Sequence, residues 1–289
     1  MSGKPKFTHL ITDADNTLYN WVEYIVPCLE AMVDHLHRRT GLPPERIAES
    51  FKEVFEKYRT NEYPFVLQEA GIFAGRREDF KRFQEELIRP TRAIFNRVRK
   101  ENLRLYPGVA RTLWTLVNRG IRVIVLSDAP AFSAEQRLEH LSVSPFIWAL
   151  YALETYPLPE ASRLDEEIIN RIRTGFYRSR IGKVVELPLE CEKPNPGGLR
   201  RILEEEGIGP GEAVLVGDNP KKDIRIAREA GVLDVWARYG TVISPEARAK
   251  LNFYSAASIQ KRNVAAEGDL TLRPTRTIDS FPELLHVFE

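Results

Sequence analysis

Three acidic residues follow apolar runs at positions where their carboxylates would act together. Asp13 and Asp15 stand two residues apart after the run 7–12, and Asp218 directly follows the run 213–217. On an extended backbone, Asp13 and Asp15 would point to the same side, where close carboxylates repel and raise each other's pKa unless a cation lies between them. A hard divalent ion such as Mg²⁺, with Asp218 as a third oxygen donor, would remove that repulsion. The sequence therefore predicts a magnesium site.

A positive charge and two hydroxyl groups complete a predicted site for an anion. Lys193 lies just before a predicted helix, and Thr17 and Ser127 stand at the ends of strand-like runs. Short hydroxyls at such positions suit phosphate oxygens, and the alternative is that both merely cap backbone groups. The 42 Lys and Arg residues nearly balance the 41 Asp and Glu residues, so an anion site must be built locally and not by an overall positive field.

An acidic residue after an apolar strand is commonly only a turn residue or a helix N-cap. We adopt that interpretation for Asp128, which follows a third apolar run. For the three acids above, their joint spacing with Lys193 favours a site. Asp223 keeps both interpretations, because it also falls in the first turn of the helix predicted through 226–227, where an acid favours the helix dipole.

The pattern of apolar residues predicts the fold class. The runs 7–12, 121–127 and 213–217 are short, β-branched and free of polar alternation, which is typical of strands buried on both faces of a parallel sheet. Helical periodicity occupies 109–117 and 199–203. This alternation predicts an α/β fold with a Rossmann-like doubly wound parallel sheet. Ligands bind at the carboxyl ends of the strands in such sheets, and the acids lie there.

Residues 20–104 break this alternation. They contain one helical pattern after another, at 21–39, 44–59, 78–89 and from Pro90 onward. We see no strand pattern among them. We therefore predict an all-helical insertion at 20–104 in an α/β core formed by 1–19 and 105–289.

Two stretches of the core are longer than the α/β alternation requires. The stretch 155–188 contains a predicted helix near 165–176, and the stretch 241–275 contains a helix that opens at Ser244. We interpret both stretches as additions that modify the site entrance or mediate homodimer contacts. A last helix is predicted over 281–288.

Composition and charge argue against several classes of protein. No apolar run is long enough to span a bilayer, and no apolar signal segment opens the sequence. Cys28 and Cys191 are far apart and predicted to be unpaired, and the five histidines form no zinc pattern. Arginine-rich stretches such as 171–180 are interpreted as solvated helix faces, and Trp114 and Trp236 as core residues. We therefore expect a cytoplasmic protein that binds neither membrane nor nucleic acid.

Four of these segments together resemble the motifs of the haloacid dehalogenase (HAD) superfamily. Residues 13–18, Asp-Ala-Asp-Asn-Thr-Leu, are similar to its first motif, Asp-x-Asp-x-Thr. Ser127 resembles its second motif, residues 193–196 resemble its third and residues 217–224 resemble its fourth, in the same order along the chain. Asn16 replaces the commonest glycine of the first motif, and Ile226 stands where many members have glycine. The resemblance covers the whole sequence loosely and the two additional stretches poorly.

The resemblance implies a mechanism. Asp13 would attack phosphorus and form an aspartyl-phosphate, and Asp15 would protonate the leaving oxygen and then deprotonate the attacking water. Lys193, Thr17 and Ser127 would hold the transferring phosphoryl oxygens. Dehalogenases and phosphonatases of the superfamily lack an acid where Asp15 stands, so phosphate-ester chemistry is favoured.

The resemblance also implies a ligand set for the metal. Mg²⁺ would be bound by the Asp13 carboxylate, the backbone carbonyl of Asp15 and the carboxylate of Asp218, with Asp223 orienting the ion directly or through water. This set has oxygen donors throughout, as Mg²⁺ prefers.

The helical insertion is similar to the helical cap of the superfamily, which closes over the site and excludes water. Arg59, Asn61 and Tyr63 lie between its predicted helices and could face the site. We interpret them as solvated loop residues.

These inferences together predict a magnesium-dependent phosphatase that hydrolyses a small phosphorylated metabolite. A phosphotransferase or phosphomutase, which would pass the phosphoryl group to a sugar hydroxyl, is the alternative within the same chemistry. A different class is a non-enzymatic regulatory module that accepts phosphate on Asp13, but such modules are much shorter. A degenerate scaffold on the same fold is a third reading, and the intact set of acids with Lys193 argues against it.

Overall fold

One parallel sheet forms the centre of the protein. The computed structural model describes residues 6–155, 180–256 and 272–289, so the helix predicted at 165–176 and most of the stretch 171–180 lie outside the described residues. The described strands are β1 (His9–Thr12), β2 (Arg122–Pro130), β3 (Ala149–Leu153), β4 (Lys183–Leu187), β5 (Ala213–Gly217), β6 (Leu233–Ala237) and β7 (Arg276–Ile278). They are parallel, in the order β4-β3-β2-β1-β5-β6-β7. The predicted doubly wound parallel sheet is confirmed.

The central strands bury side chains on both faces of the sheet. Leu10 of β1 lies beside Val123 of β2, and Ile11 lies beside Ile124. Because successive side chains of a strand point to opposite faces, the first pair belongs to one apolar core and the second pair to another. The polar residues of β1 and β2 lie towards the strand ends, and the segments between them are apolar on both faces, which explains their continuous apolar runs.

Residues 21–102 between β1 and β2 form a helical insertion. Its α-helices are α1 (Trp21–Thr40), α2 (Pro44–Tyr58), α3 (Val66–Glu69), α4 (Phe80–Phe83) and α5 (Arg89–Asn102). The Asn20 side chain caps α1 by accepting the N–H groups of Val22 and Glu23, and α1 packs along α5. The chain leaves and re-enters the core side by side, because Tyr19 and Leu105 form an antiparallel bridge. The domain boundaries at 20 and 104 stay a prediction.

The helices of the core follow the predicted alternation. They are α6 (Val109–Asn118), α7 (Ala131–His140), α8 (Gly197–Glu205), α9 (Arg225–Glu229) and α10 (Pro245–Tyr254). A 3₁₀ helix, Phe281–His286, stands where a longer helix was predicted. The prediction that Trp114 is a core residue is wrong: its side chain is 56% exposed. The reason is that α6 buries Leu113 and Leu116 on its inner face, and Trp114 lies on the opposite side.

The two additional stretches join the structure in different ways. The stretch 155–188 ends in β4, an edge strand of the sheet that its polar, exposed residues did not reveal. The stretch 241–275 contributes α10, which packs against α1 and α2 of the insertion. Lys52 Nζ donates to the Asn252 carbonyl oxygen at 2.6 Å, and Lys250 pairs with Glu30 at 3.0 Å. The second stretch therefore fastens the insertion to the core.

Two further predictions concern cysteines and membranes. Cys28 and Cys191 are both free thiols, as predicted. Among the described residues, the helices are all too short or too polar to cross a lipid bilayer.

The edge of the sheet at β4 carries an ion cluster with a testable acid dependence. Glu205 accepts from Lys183, Arg201 and the Tyr151 hydroxyl at 2.7–3.0 Å. These hydrogen bonds lower the pKa of Glu205 from 4.5 to about 2, so their stabilisation is present above the unfolded-state pKa and is lost as pH falls towards 2.

We expect Glu205→Gln to lower the free energy of unfolding at neutral pH by about 1 kcal/mol or less, because the cluster is partly solvated. Urea unfolding of both proteins should show this difference shrinking between about pH 5 and about pH 2. A difference that is constant over that range would contradict the assigned role of the Glu205 charge.

Candidate active site

A cavity of about 900 Å³ lies at the carboxyl ends of the central strands, between the sheet and the helical insertion. β1 stands between β2 and β5, which is the point where strand order reverses and where ligands bind in open α/β sheets. Five of the predicted site residues line this cavity: Asp13, Asp15, Lys193, Asp218 and Asp223. The structure thus brings them together at one edge of the sheet.

Lys193 is held at the centre of the site. Its Nζ donates to Asp13 Oδ1 at 2.6 Å and to Asp223 Oδ1 at 2.7 Å, and lies 3.4 Å from the Leu126 carbonyl oxygen. The residue is 5% exposed. Its backbone N–H donates to Asp128 Oδ1 at 2.9 Å. Main chain and side chain of Lys193 are therefore both fixed.

The charges of the site shift one another's pKa. Burial raises the pKa of Asp13 well above its usual value; Lys193 opposes that rise, and Asp223 and Asp218 add to it. Burial acts to lower the pKa of Lys193, but Asp13 and Asp223 outweigh burial and raise this pKa well above its usual value. Lys193 is therefore an ammonium ion, and a further positive charge would help Asp13 to ionise.

Three carboxylates are close enough to share a cation. One oxygen each from Asp13, Asp218 and Asp223 lie within 4.8 Å of one another. A set made of oxygens alone, with excess negative charge and burial, suits a hard divalent ion. The geometry therefore fits a metal ion at these three residues, and the participation of the Asp15 carbonyl stays a prediction.

Asp223 is both an acid in the first turn of a helical segment and a member of the charged site. It lies in the π-helical turn Pro220–Ile224 that opens α9, where its Oδ2 accepts the Asn219 N–H at 3.0 Å, and its Oδ1 meets Lys193. A Cβ at Gly217 would overlap the Asp223 carboxyl group, so glycine is required there. The glycine before Asp218 was therefore a sequence signal for this close approach.

Thr17 and Ser127 are buried and do not line the cavity. Ser127 Oγ accepts the N–H of Ala129 at 3.1 Å, which is the backbone-capping alternative. The Thr17 hydroxyl is fully buried and has no partner within the described part of the chain. Their roles in binding phosphate stay predictions.

Arg137 is a site residue that the sequence analysis missed. Its Nη1 donates to Asp15 Oδ1 at 2.8 Å and to the Tyr19 hydroxyl at 3.1 Å, and its Nη2 pairs with Glu62 of the insertion. The Arg137 side chain is 3% exposed and that of Glu62 is 6% exposed. The available signal was a basic residue beside Leu138 on the apolar face of α7.

Asp128 is more than the turn residue we took it to be. Besides binding the Lys193 backbone, its Oδ2 accepts from Lys222 Nζ at 2.8 Å, and it lines the cavity. Lys222 reaches towards Glu192, which pairs with Arg59 of the insertion. Asp128 therefore joins the second, third and fourth motif segments.

The loop between α2 and α3 faces the cavity. Arg59 and Asn61 line it, and Asn61 Oδ1 accepts from Ser255 Oγ at 2.8 Å and from Ala256 N at 3.1 Å. Tyr63 is buried and stacks on Tyr58 with ring centroids 3.7 Å apart. The interpretation of these residues as a solvated loop is wrong for Tyr63, because its ring packs against Tyr58 and Phe65 within the insertion.

The chain belongs to the haloacid dehalogenase-like hydrolase family, whose model matches residues 7–231. The match includes the four motif segments and the helical insertion. The chain is therefore identified as a hydrolase of that family.

Curated relatives carry the names of phosphatases. The chain is 52% identical over 113 residues to a phosphoserine phosphatase of Thermus thermophilus, covering 39% of this chain and 40% of that protein. It is 23% identical over 246 residues to a glyceraldehyde 3-phosphate phosphatase of Methanopyrus kandleri, covering 83% and 87%. It is 28% identical over 143 residues to a phosphoglycolate phosphatase of Rhodospirillum rubrum, covering 50% and 45%. The chain thus spans less than half the length of the first and third of these relatives.

Solved structures show the same fold. A HAD phosphatase from Thermococcus onnurineus matches with a TM-score of 0.55 at 16% identity, and a 2-haloacid dehalogenase from Pseudomonas syringae matches with 0.52 at 17%. Each match covers 97% of both chains. These similarities describe the arrangement of elements.

The cluster of Asp13, Asp218 and Asp223 leads to a prediction about metal binding. We expect millimolar MgCl₂ to raise the melting temperature, because a bound cation stabilises the folded state and relieves carboxylate repulsion. Asp218→Asn should reduce this rise and, in EDTA, should raise the melting temperature of the metal-free protein. Thermal unfolding followed by circular dichroism measures both effects.

Asp279→Asn is the control, since Asp279 pairs with Arg238 at an exposed position outside the cavity. It should keep the full response to MgCl₂. An equal response in Asp218→Asn would show that the ion binds elsewhere.

Proposed function

We propose that the chain is a Mg²⁺-dependent phosphatase that hydrolyses a small phosphomonoester through an aspartyl-phosphate on Asp13. One observation carries the proposal: the buried ammonium of Lys193 lies between Asp13 and Asp223, with the Asp218 carboxylate beside them, at the floor of a large cavity. This arrangement supports a nucleophilic role for Asp13, because the ammonium of Lys193 beside it would neutralise charge on a phosphate. Positioning and charge neutralisation are what phosphoryl transfer requires of a protein.

Asp13 acts as the nucleophile. A carboxylate oxygen of Asp13 attacks phosphorus, the bond from phosphorus to the ester oxygen breaks, and Lys193 neutralises charge on the phosphoryl oxygens. Mg²⁺ held by Asp13, Asp218 and Asp223 would supply further neutralisation when bound. Water then attacks phosphorus, which releases inorganic phosphate and regenerates the Asp13 carboxylate.

Asp15 carries the proton in both half-reactions. It donates a proton to the leaving ester oxygen and later accepts one from the attacking water. Arg137 holds Asp15 Oδ1 at 2.8 Å and so restricts the rotamer of this carboxyl group. Since Arg137 also pairs with Glu62 of the insertion, we infer that Asp15 is oriented when the insertion lies against the core.

The helical insertion, residues 20–104, acts as a cap over the site. Its loop contributes Arg59 and Asn61 to the cavity wall, and its ion pairs with Glu192 and Arg137 keep it against the core. A closed cap excludes water until the aspartyl-phosphate has formed. The named relatives act on small phosphorylated metabolites, which supports a substrate of that class.

The proposal predicts that Asp13→Asn abolishes phosphate release. Asparagine keeps the shape of the side chain but is a poor nucleophile, so the rate should fall by at least roughly 10³-fold. Phosphate release from a panel of sugar phosphates, nucleotides and hydroxy-acid phosphates, with MgCl₂ or EDTA, measures this. Asp279→Asn serves as the folded, active control.

Activity in Asp13→Asn equal to that of the parent would rule out Asp13 as the nucleophile. Isomerised sugar phosphate in place of inorganic phosphate would indicate a mutase. Circular dichroism of the variant shows whether the fold is retained.

The proposed role of Asp15 and Arg137 predicts a dependence on the leaving group. Asp15→Asn should lower kcat/KM for an alkyl phosphate by about 10²–10⁴-fold, and kcat/KM for p-nitrophenyl phosphate much less, because nitrophenolate leaves without a proton. Arg137→Met should show the same selectivity more weakly, and Arg137→Lys should restore part of the rate. The ratio of kcat/KM for the two esters is the readout, because kcat/KM covers the steps up to the aspartyl-phosphate and excludes the later attack of water, which is common to both esters.

A purely structural role of Arg137 would lower both rates equally and leave the ratio unchanged. Arg104→Met is the matched control, because Arg104 is exposed and donates to backbone carbonyl oxygens. It should leave both rates near those of the parent.

A further inference from the structure

Asn61 is a residue of the catalytic cavity that the proposed mechanism does not use. It belongs to the loop between α2 and α3 and lines the cavity. Residues on either side of it are tied to the core, because Arg59 pairs with Glu192 and Glu62 pairs with Arg137. The loop therefore holds Asn61 at a defined place in the cavity wall.

The end of α10 determines which way the Asn61 amide faces. Its Oδ1 accepts from Ser255 Oγ at 2.8 Å and from the Ala256 N–H at 3.1 Å. A backbone N–H can only donate, so the atom beside it must be the amide oxygen and not the nitrogen. Ser255 is buried, and Ala256 lines the same cavity as Asn61. These contacts fix the orientation of the amide.

The Asn61 amino group is left available to a ligand. Nδ2 has no acceptor in the described part of the chain, and it remains accessible, unlike the unpaired polar atoms that are sealed inside the protein. Its two N–H groups can each donate a hydrogen bond, and the group can accept none. A molecule that binds it must therefore offer an acceptor. Asn61 lines both the catalytic cavity and a neighbouring cavity of about 280 Å³.

The segment that orients Asn61 lies outside the family match. The family model ends at residue 231, whereas α10 begins at Pro245 and packs against α1 and α2 of the insertion. Lys250 of α10 also pairs with Glu30 of α1 at 3.0 Å. The end of α10 is therefore held against the insertion, and the orientation of Asn61 is a feature that the family model does not include.

The charge of the cavity wall indicates which kind of acceptor fits. The described residues that line the cavity include eight acidic and five basic side chains. A divalent cation and a phosphate dianion would cancel each other and leave this negative excess unchanged. The wall therefore repels a second anionic group on a substrate, whereas a hydroxyl or carbonyl oxygen meets no such repulsion.

We propose that Asn61 Nδ2 donates to an uncharged oxygen, a hydroxyl or a carbonyl, on the carbon body of the substrate. Ser255 and Ala256 position it for that contact. The inference rests on the proposed function and names a substrate class for it. That class is the phosphates of polyols, sugars and small carbonyl compounds, in preference to phosphates of hydrocarbons or of carboxylic acids.

Asn61→Asp in the full-length chain separates the donor from the contacts that hold it. Aspartate keeps an oxygen for Ser255 and Ala256 but replaces the amino group by a second acceptor. The substrates are hydroxyacetone phosphate, whose carbonyl oxygen can only accept, and propyl phosphate, which lacks that oxygen. We expect the ratio of their kcat/KM values to fall about 10-fold, because a hydrogen bond is lost for one ester alone. The added charge repels both phosphates alike and cancels in the ratio.

Glycerol 1-phosphate should behave differently in the same variant. Its hydroxyl groups accept from the amide of the parent and can donate to the new carboxylate, so its ratio to propyl phosphate should fall by less than about threefold. The matched control is Asn252→Asp, because Asn252 is exposed on α10 and lies outside the cavity. It should keep both ratios of the parent.

Ser255→Ala tests the positioning role. By itself it should lower the ratio of hydroxyacetone phosphate to propyl phosphate by about threefold, and Ser255→Thr, which keeps the hydroxyl group, should restore the ratio. In an Asn61→Ala protein, Ser255→Ala should cause no further change, because the group through which it acts is gone. A merely structural role of Ser255 would lower kcat/KM for both esters and leave the ratio unchanged.

Two results would overturn the proposal. An unchanged ratio in Asn61→Asp would mean that the amino group faces the smaller cavity or bulk water. A larger kcat/KM for 3-phosphoglycerate than for glycerol 1-phosphate would contradict the substrate class. Both results leave the proposed function standing, because propyl phosphate is still hydrolysed. An absence of phosphate release from every ester, propyl phosphate included, would instead contradict the proposed function and this inference with it.

Discussion

A single buried ammonium group is the interaction on which the catalytic edge depends. Lys193 binds Asp13, which is 180 residues away in the sequence, and Asp223, which is 30 residues away. Removing one partner of such a buried pair typically costs about 3–5 kcal/mol, because a charge is left uncompensated. Lys193 therefore holds the ends of β1 and β5 and the segment before α8 in one arrangement. The same contacts neutralise carboxylates that would otherwise repel a substrate phosphate.

A second set of charges determines how the helical insertion meets the core. The loop between α2 and α3 pairs Arg59 with Glu192 and Glu62 with Arg137, and Asn61 receives hydrogen bonds from the end of α10. Because Arg137 also binds Asp15, the position of the insertion and the orientation of the proposed proton carrier depend on the same side chain. Closure of the insertion and orientation of Asp15 thus involve a few neighbouring residues.

The sequence predictions were more accurate for features that neighbouring residues determine than for contacts between residues far apart in the chain. The strands β1, β2 and β5 were predictable because burial on both faces leaves uninterrupted apolar runs. Strand β4 was missed because it lies at an exposed edge and carries Lys183 and Glu186, which do not form an apolar pattern. Trp114 was misplaced because a large apolar side chain does not by itself indicate which face of a helix is buried. Arg137 and Asp128 were missed because their partners lie far along the chain.

The sequence by itself determined the α/β class, the helical character of the insertion and the presence of acids and a lysine after buried strands. Local periodicity and the identity of residues at strand ends carry that information. Tertiary structure alone decided that Lys193 meets both Asp13 and Asp223 and that Arg137 meets Asp15. Those facts depend on which segments pack side by side, because a hydrogen bond or ion pair forms only when two groups come within about 3 Å of each other. No spacing along one chain specifies that distance for residues far apart in sequence.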